Sequence, residues 1–263
     1  MVANGRQAGN GAFAMENVER LTNILKRLNT TWENPAFEEN DKSFLADASC
    51  RDLARAQENL LASGIATGEL WRMWNRNARL LPNQSAKLRA ELPRNHILQT
   101  ILAEHDMILC FIADLDDVNN KLQSFPYAAS STMEIRKLAH IAAHLVSSEQ
   151  HHEREEQIIF PELKLRGYHR LLEIISDQHL QIIQRGQRLK DLVWDIDRTN
   201  FDAFKSRLDE LANYLVVAIQ VHIFIETNII FPLAIEVIND RRVWERMKET
   251  CDQIGYCGYD AML

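Results

Sequence analysis

Ser147-Ser-Glu-Gln-His-His-Glu-Arg-Glu-Glu-Gln-Ile-Ile-Phe-Pro161 decides how this chain folds, and Gln220-Val-His-Ile-Phe-Ile-Glu-Thr-Asn-Ile-Ile-Phe-Pro232 echoes it near the C-terminus. Aligned on their Phe-Pro pairs, His151 falls on His222 and Glu155 on Glu226. Each pair is spaced i,i+4, which puts an imidazole and a carboxylate on one helical face about one turn apart. In the second copy that face is apolar: Leu208, Leu211, Leu215, Ile219, His222, Glu226, Ile229 and Leu233 step by three or four. A carboxylate on a core-facing stripe is costly unless something compensates its charge. Two such carboxylates with four stripe histidines point to a metal centre.

Working outward from these motifs, the periodicity predicts four long helices after Pro93. Helix A covers residues 97–122, with Leu98, Leu102, His105, Ile108, Ile112 and Leu115 on one face. Helix B restarts at 130–132 and runs to about 165, where Arg166-Gly167 turns the chain. Helix C repeats Leu172, Ile175, His179, Ile182, Gly186, Leu189 and Val193, and helix D runs over 201–238. Pro161 and Pro232 fall near helix ends, where a missing N–H costs least or produces a kink. Upstream, 15–29, a segment opening near Asp47 or Ser49 and stopping at Gly64, and 68–81 capped by Thr67 read as short helices. Trp71 and Trp74 in that module are expected to pack against the rest of the protein. No segment alternates like a strand. The fold class is therefore all-α, an antiparallel four-helix bundle with a short N-terminal helical module. The expected divisions are a flexible tail at 1–14, the module at 15–93, the bundle at 94–240 and a C-terminal extension at 241–263.

Composition narrows the function. The chain has 263 residues, 46% of them hydrophobic, enough for a sizeable core. Thirty Lys and Arg against 37 Asp and Glu give a net charge of -7 without a basic cluster, which argues against nucleic acid or an anionic membrane as partner. No uninterrupted apolar run reaches about 18 residues and the N-terminus lacks a signal-peptide core. Cys50, Cys110, Cys251 and Cys257 form no CxxC pair and read as reduced thiols, so the expected location is cytoplasmic.

Each long helix carries a stripe histidine: His105, one of His151 and His152, His179, and His222. A single histidine on an apolar face is more often a core residue bonded to a carbonyl. Four are different, because all lie about 20 residues from the turns that join their helices and so share a level in an antiparallel bundle. Two carboxylates can bridge two metal ions, and imidazole with carboxylate suits iron, whereas the absence of thiolates disfavours copper(I) or structural zinc. Six protein ligands on two ions leave positions open for O2, NO or peroxide. On helix B, periodicity favours His152 with Glu156, while the Phe-Pro register favours His151 with Glu155. The expected metal ligands are His105, His151, Glu155, His179, His222 and Glu226. His140 and His144 share the His151 face and are expected to point inward. His96 is expected to face away, His169 to be solvated, and Cys110 to be a packed thiol off the ligand face. Gly186, seven residues after His179, marks either close helix packing or open space beside the site.

The residues His151 to Pro161 and His222 to Pro232 resemble the paired motifs of the hemerythrin-like HHE cation-binding family, and Glu104-His105-Asp106 and Gln178-His179 are similar to its single-histidine helices. The resemblance covers roughly 95–238. The flanks, including 54–64, Trp244-Glu-Arg-Met and Ile254-Gly-Tyr, resemble a subgroup in which a helical module precedes the bundle. The resemblance implies a non-haem centre of two iron ions, Fe2+ or Fe3+ and oxo- or hydroxo-bridged when oxidised, for sensing, storage or delivery of iron for repair. The chain departs from hemerythrins proper, which carry a second histidine four residues before the one on helix C; here position 175 is Ile. The subgroup's histidines near 77 and 99 are Asn77 and Gln99.

Two other functions compete. A carboxylate oxidase of ferritin type wants Glu-x-x-His on two helices; Glu149-x-x-His152 supplies one, and Ile219 stands where the second would need its Glu. A helical interaction module with a structural metal would have a closed site. No nucleophile–base pair or phosphate loop is visible, so the sequence assigns no enzymatic reaction and names no protein partner.

Overall fold

The structure is a computed structural model that describes residues 5–30, 39–77, 80, 83–128 and 132–256. Among the described residues every regular element is helical. The elements are α1 (Gly5–Thr30), α2 (Glu39–Ala46), α3 (Cys50–Ala62), α4 (Thr67–Asn77), α5 (Ser85–Glu91), α6 (Ile97–Ser124), α7 (Thr132–Ser147), α8 (Glu149–Arg154), α9 (Phe160–Lys164), α10 (Arg170–Trp194), α11 (Phe201–Ile225), α12 (Phe231–Val237) and α13 (Arg241–Ile254). Two π-helical turns, Glu155–Ile159 and Glu226–Ile230, join α8 to α9 and α11 to α12.

By contact the chain divides into two compact units, Met1–Glu91 with Pro161–Ile174 and Phe224–Arg241, and Leu92–Phe160 with Ile175–Ile223 and Arg242–Leu263.

In the first unit α1 packs on α3 and α4, and α3 packs on α12 and the second π turn. Helix α1 runs from Gly5, inside the stretch expected to be a tail, through Thr30, where a break was expected to open; residues 1–4 and the rest of that break, 31–35, lie outside the described residues. Trp74 is fully buried and meets the half-buried Trp71 edge-on at 6.0 Å. The module also satisfies helix ends. Buried Glu58 accepts from the backbone N–H groups of Leu171 (2.9 Å) and Arg170 (3.3 Å), an acidic cap on the start of α10. Arg55 donates to the carbonyls of Gly167 (3.0 Å) and Arg166 (2.9 Å) and lies over the Tyr168 ring. Gly167 takes a positive φ of 87°, which lets the chain turn there.

The second unit holds a continuous apolar core. Ile108, Ile112, Leu115 and Leu122 of α6 meet Leu138, Ile141 and Leu145 of α7, Ile182 and Leu189 of α10, and Leu208, Leu215, Ile219 and Ile223 of α11. These are the stripes read from the sequence. Helix Phe201–Val237 is long and apolar enough to cross a membrane by length and composition; 72% of its most apolar window is buried inside the protein, as for a core helix.

Candidate metal centre

On three of the four helices the histidine is the next step of the stripe beyond this core, and on the remaining one it lies past the break at Ser148. His105 precedes Ile108, His151 follows Leu145, His179 precedes Ile182 and His222 follows Ile219, and all four are at most 2% exposed. Glu155, 0% exposed, sits among them. Its Oε1 lies 3.3 Å from His151 Nε2 and 3.8 Å from His105 Nε2, and its Oε2 lies 3.3 Å from His179 Nε2. One carboxylate thus faces two imidazoles with one oxygen and a third with the other. His222 adds its ligand atom within 4.8 Å of those of Glu155 and His179.

Two further carboxylates hold the imidazoles from behind. Glu104 Oε2 lies 2.8 Å from His151 Nδ1, and Glu156 Oε1 lies 2.6 Å from His179 Nδ1. An ionised carboxylate only accepts, so each Nδ1 donates to its carboxylate while each Nε2 faces Glu155. This is the arrangement that fixes the tautomer of a metal-ligating histidine. Burial alone pushes the Glu104 carboxyl up, but the His151 hydrogen bond and charge, together with Arg154, outweigh it and hold it below the ordinary value. Sequence reasoning missed both roles. Glu104 left a trace as the acidic neighbour of His105, and Glu156 appeared only as a rival ligand.

Glu155 is buried, whereas the Glu156 side chain is 39% exposed and touches His179 from its outer nitrogen. Both histidines of the pair turn inward, however. His152 is 6% exposed, stacks on His179 with ring centroids 4.2 Å apart, and brings its ligand atom within 4.8 Å of those of His179 and His222.

A π turn begins at the motif glutamate. The Phe160 N–H donates to the Glu155 carbonyl, five residues back, and the Phe231 N–H does the same to Glu226. The following prolines explain why: in a regular helix Pro161 and Pro232 would donate nothing and would press on the carbonyls of Gln157 and Asn228. In the first unit the Asn228 carbonyl takes the Cys50 thiol at 3.6 Å, and the Asn228 side chain accepts from Gln84 N (2.8 Å) and Ser85 N (3.1 Å) while donating to Phe224 O (2.9 Å). Glu226 belongs to that unit. It is fully buried, one turn beyond His222 on the same helix.

Several expectations fail. His140 is exposed and His144 is half-exposed, stacked on Phe111 at 4.4 Å instead of pointing inward. The cause is the break at Ser148: His151 N bonds back only three residues, to Ser148 O. An overwound turn advances about 120° per residue rather than 100° and uncouples the faces on either side. Cys110 is exposed, not packed. At Gly186 an added Cβ would meet Leu145 at 3.9 Å, ordinary contact, so the glycine marks helix packing. Glu149, needed by the oxidase pattern, is exposed. His96 caps α6, its Nδ1 accepting from Leu98 N at 3.2 Å, and His169 is exposed, both as expected. Gln99 binds the Leu92 carbonyl (3.1 Å), and the Asn77 side chain lies outside the described residues.

Buried imidazoles converging from four helices on one buried carboxylate, two of them held at Nδ1 by a further carboxylate, form a nitrogen and oxygen donor set without thiolates. A family model described as the hemerythrin HHE cation-binding domain matches residues 96–234. The chain belongs to the hemerythrin HHE family. The match spans α6 to α12, so this hemerythrin domain is a helical bundle of cation-binding type. No curated protein matches the chain. The donor chemistry of the hemerythrin site fits a cation: neutral imidazole Nε2 and carboxylate oxygen are ligands for iron and its neighbours. Among the described residues, Cys50 and Cys251 belong to none of these ligand groups, and burial pushes both thiols up to about 12.

Proposed function

We propose that this hemerythrin domain holds two iron ions through His105, His151, Glu155, His179, His222 and Glu226, and that the centre takes up O2, NO or peroxide. The observation that carries this reading is Glu155. Its two oxygens face different imidazoles at 3.3 to 3.8 Å from three helices, as a carboxylate shared by two ions would. Iron would supply reversible redox chemistry and coordination sites for a small ligand. The chain supplies the rest: Glu104 and Glu156 hold the Nδ1 protons, the core that begins at Ile108 and Ile182 keeps water away, and Glu226 would add the second shared carboxylate.

Sensing, storage and delivery of iron all suit such a centre. The free thiols Cys50, Cys110 and Cys251 suit a reducing, cytoplasmic location. The oxidase reading loses its support with Glu149 in solvent. The interaction module with a structural metal remains as the rival, since a metal with every position filled would explain the same donors.

Anaerobic reconstitution with ferrous iron, followed by metal analysis and optical spectra before and after O2, NO or azide, separates the two. About two irons per chain and ligand-dependent near-ultraviolet bands are expected. Iron near zero in a folded chain would end the di-iron proposal; loaded metal blind to every added ligand would favour the structural role.

A further inference from the structure

Arg154 is 0% exposed, an extreme for an arginine. One guanidinium nitrogen, Nη2, donates to Glu104 Oε2, the same oxygen that accepts from His151 Nδ1. The other, Nη1, donates to the carbonyl of Gly255, and the guanidinium lies 5.0 Å from the centroid of the Tyr256 ring. The Tyr256 hydroxyl in turn donates to Asp252 on the last turn of α13. Gly255 follows α13 with a φ of 89°, a conformation other residues rarely adopt, and so brings its carbonyl round to Arg154. A continuous path therefore runs from the C-terminal turn through Arg154 and Glu104 to His151.

We propose that Arg154 is a positioning residue for the metal centre, and that the turn Gly255–Tyr256 is the part of the C-terminal extension that holds it in place. Glu104 by itself could rotate off the imidazole. Pinned by a buried guanidinium, its Oε2 stays on His151 Nδ1, which fixes the ring and makes it a stronger donor through Nε2. The guanidinium suits the task because its planar fork serves two acceptors at once, which a lysine ammonium does with less directional control. Arg154 lies three residues after His151, close to its face of α8, so the motif carries both the imidazole and the cation that braces its partner.

The proposal rests on His151 being a ligand, and its test keeps the two claims apart. Full-length wild type, Glu104→Gln, Arg154→Lys and Gly255→Val are compared in two states. Without metal, the exchange of the His151 Nδ1 proton is followed by nitrogen-15 NMR. With iron, affinity is measured by chelator competition and the reduction potential by titration. Glu104→Gln keeps an acceptor without the charge; iron affinity should fall about 10–100-fold and the potential should rise, because a weaker donor stabilises the ferric state less. Arg154→Lys and Gly255→Val should move all three readouts in the same direction by smaller amounts. In both, the Nδ1 proton should exchange faster even without metal. Wild-type affinity, potential and proton exchange in folded Arg154→Lys and Gly255→Val would overturn the proposal. A wild type that takes up no iron would sink the metal reading instead, and unchanged proton exchange in the variants would then overturn the positioning role on its own.

Discussion

Replacing His151 and His152 by Ala, one at a time, tests the candidate ligand set at its most contested point. His151 is clasped between two buried carboxylates, Glu104 at its Nδ1 and Glu155 at its Nε2. Removing it leaves Glu155, 0% exposed, short of one of its three close imidazoles. Breaking a buried charged contact by deleting one partner costs about 3–5 kcal/mol. Arg154 still holds Glu104, so the lower end applies. At about 2–4 °C per kcal/mol for a chain of this size, the metal-free Tm should fall by about 6–12 °C. Iron affinity should drop by more than the roughly 100-fold expected when a ligand's supporting partner is lost. His152 offers a different balance. Its removal forfeits a ring stacked on His179, worth about 0.5–1.5 kcal/mol, or about 1–6 °C. Iron content at saturation should stay near the wild-type value. The assay is iron per chain with melting curves taken with and without iron. Should His152→Ala empty the site while His151→Ala keeps its iron, ligation runs through His152 with His179 and His222, and the bond from His151 to Glu104 serves the fold alone.

Burial pushes the His96 imidazole below its ordinary 6.5, so in the window between its lowered value and 6.5 the folded chain binds fewer protons than the unfolded one, and stability falls as pH drops through it. His96→Asn keeps a capping acceptor that does not titrate, and its Tm should vary less than the wild type's between about pH 7.5 and 5; parallel curves would refute this. Gly186→Ala should be neutral or stabilising by about 0.4–1 kcal/mol in denaturant unfolding, because the new Cβ meets Leu145 at ordinary contact distance and the unfolded chain loses freedom; a loss above about 1 kcal/mol would mean the helices cannot yield there. Pro161→Ala restores a backbone N–H and removes the pressure on the Gln157 carbonyl, so the π turn should close to a regular helix and iron affinity should fall; a crystal structure of the variant with the turn intact would assign it to side-chain packing.

The fold and the converging histidines were legible because both rest on period. Stripes at three and four residues placed Leu98 to Leu115, Leu172 to Val193 and Leu208 to Leu233 on buried faces, and the buried histidines continue those stripes. What escaped notice depends on departures from the period. Ser148 overwinds the chain and sends His140 and His144 outward, although seven-residue spacing from His151 placed His144 on the ligand face. Caps and braces escaped for another reason: Glu58, Arg55 and Arg154 act on backbone or side chains far along the sequence, where no local pattern records the partner.

The π turns are the intermediate case, and they show how a local signal can be present and still be misread. Pro161 and Pro232 suggested helix ends or kinks, the ordinary consequence of a missing N–H. Their effect falls upstream instead. With no donor at the proline, the preceding Phe bonds five residues back to the glutamate carbonyl, and the helix accommodates one extra residue. An inserted residue rotates everything beyond it by about 100°, so the side chains before and after the turn answer to different registers. Glu155 faces three imidazoles, and Ile159 and Phe160, four and five residues on across the π turn, are both fully buried. The insertion also explains why periodicity and Phe-Pro alignment disagreed about helix B. Periodicity assumes a uniform helix along helix B, whereas alignment compares two segments carrying the same insertion and is blind to it. The alignment favours His151 with Glu155 because an irregularity common to both motifs cancels when one is laid on the other.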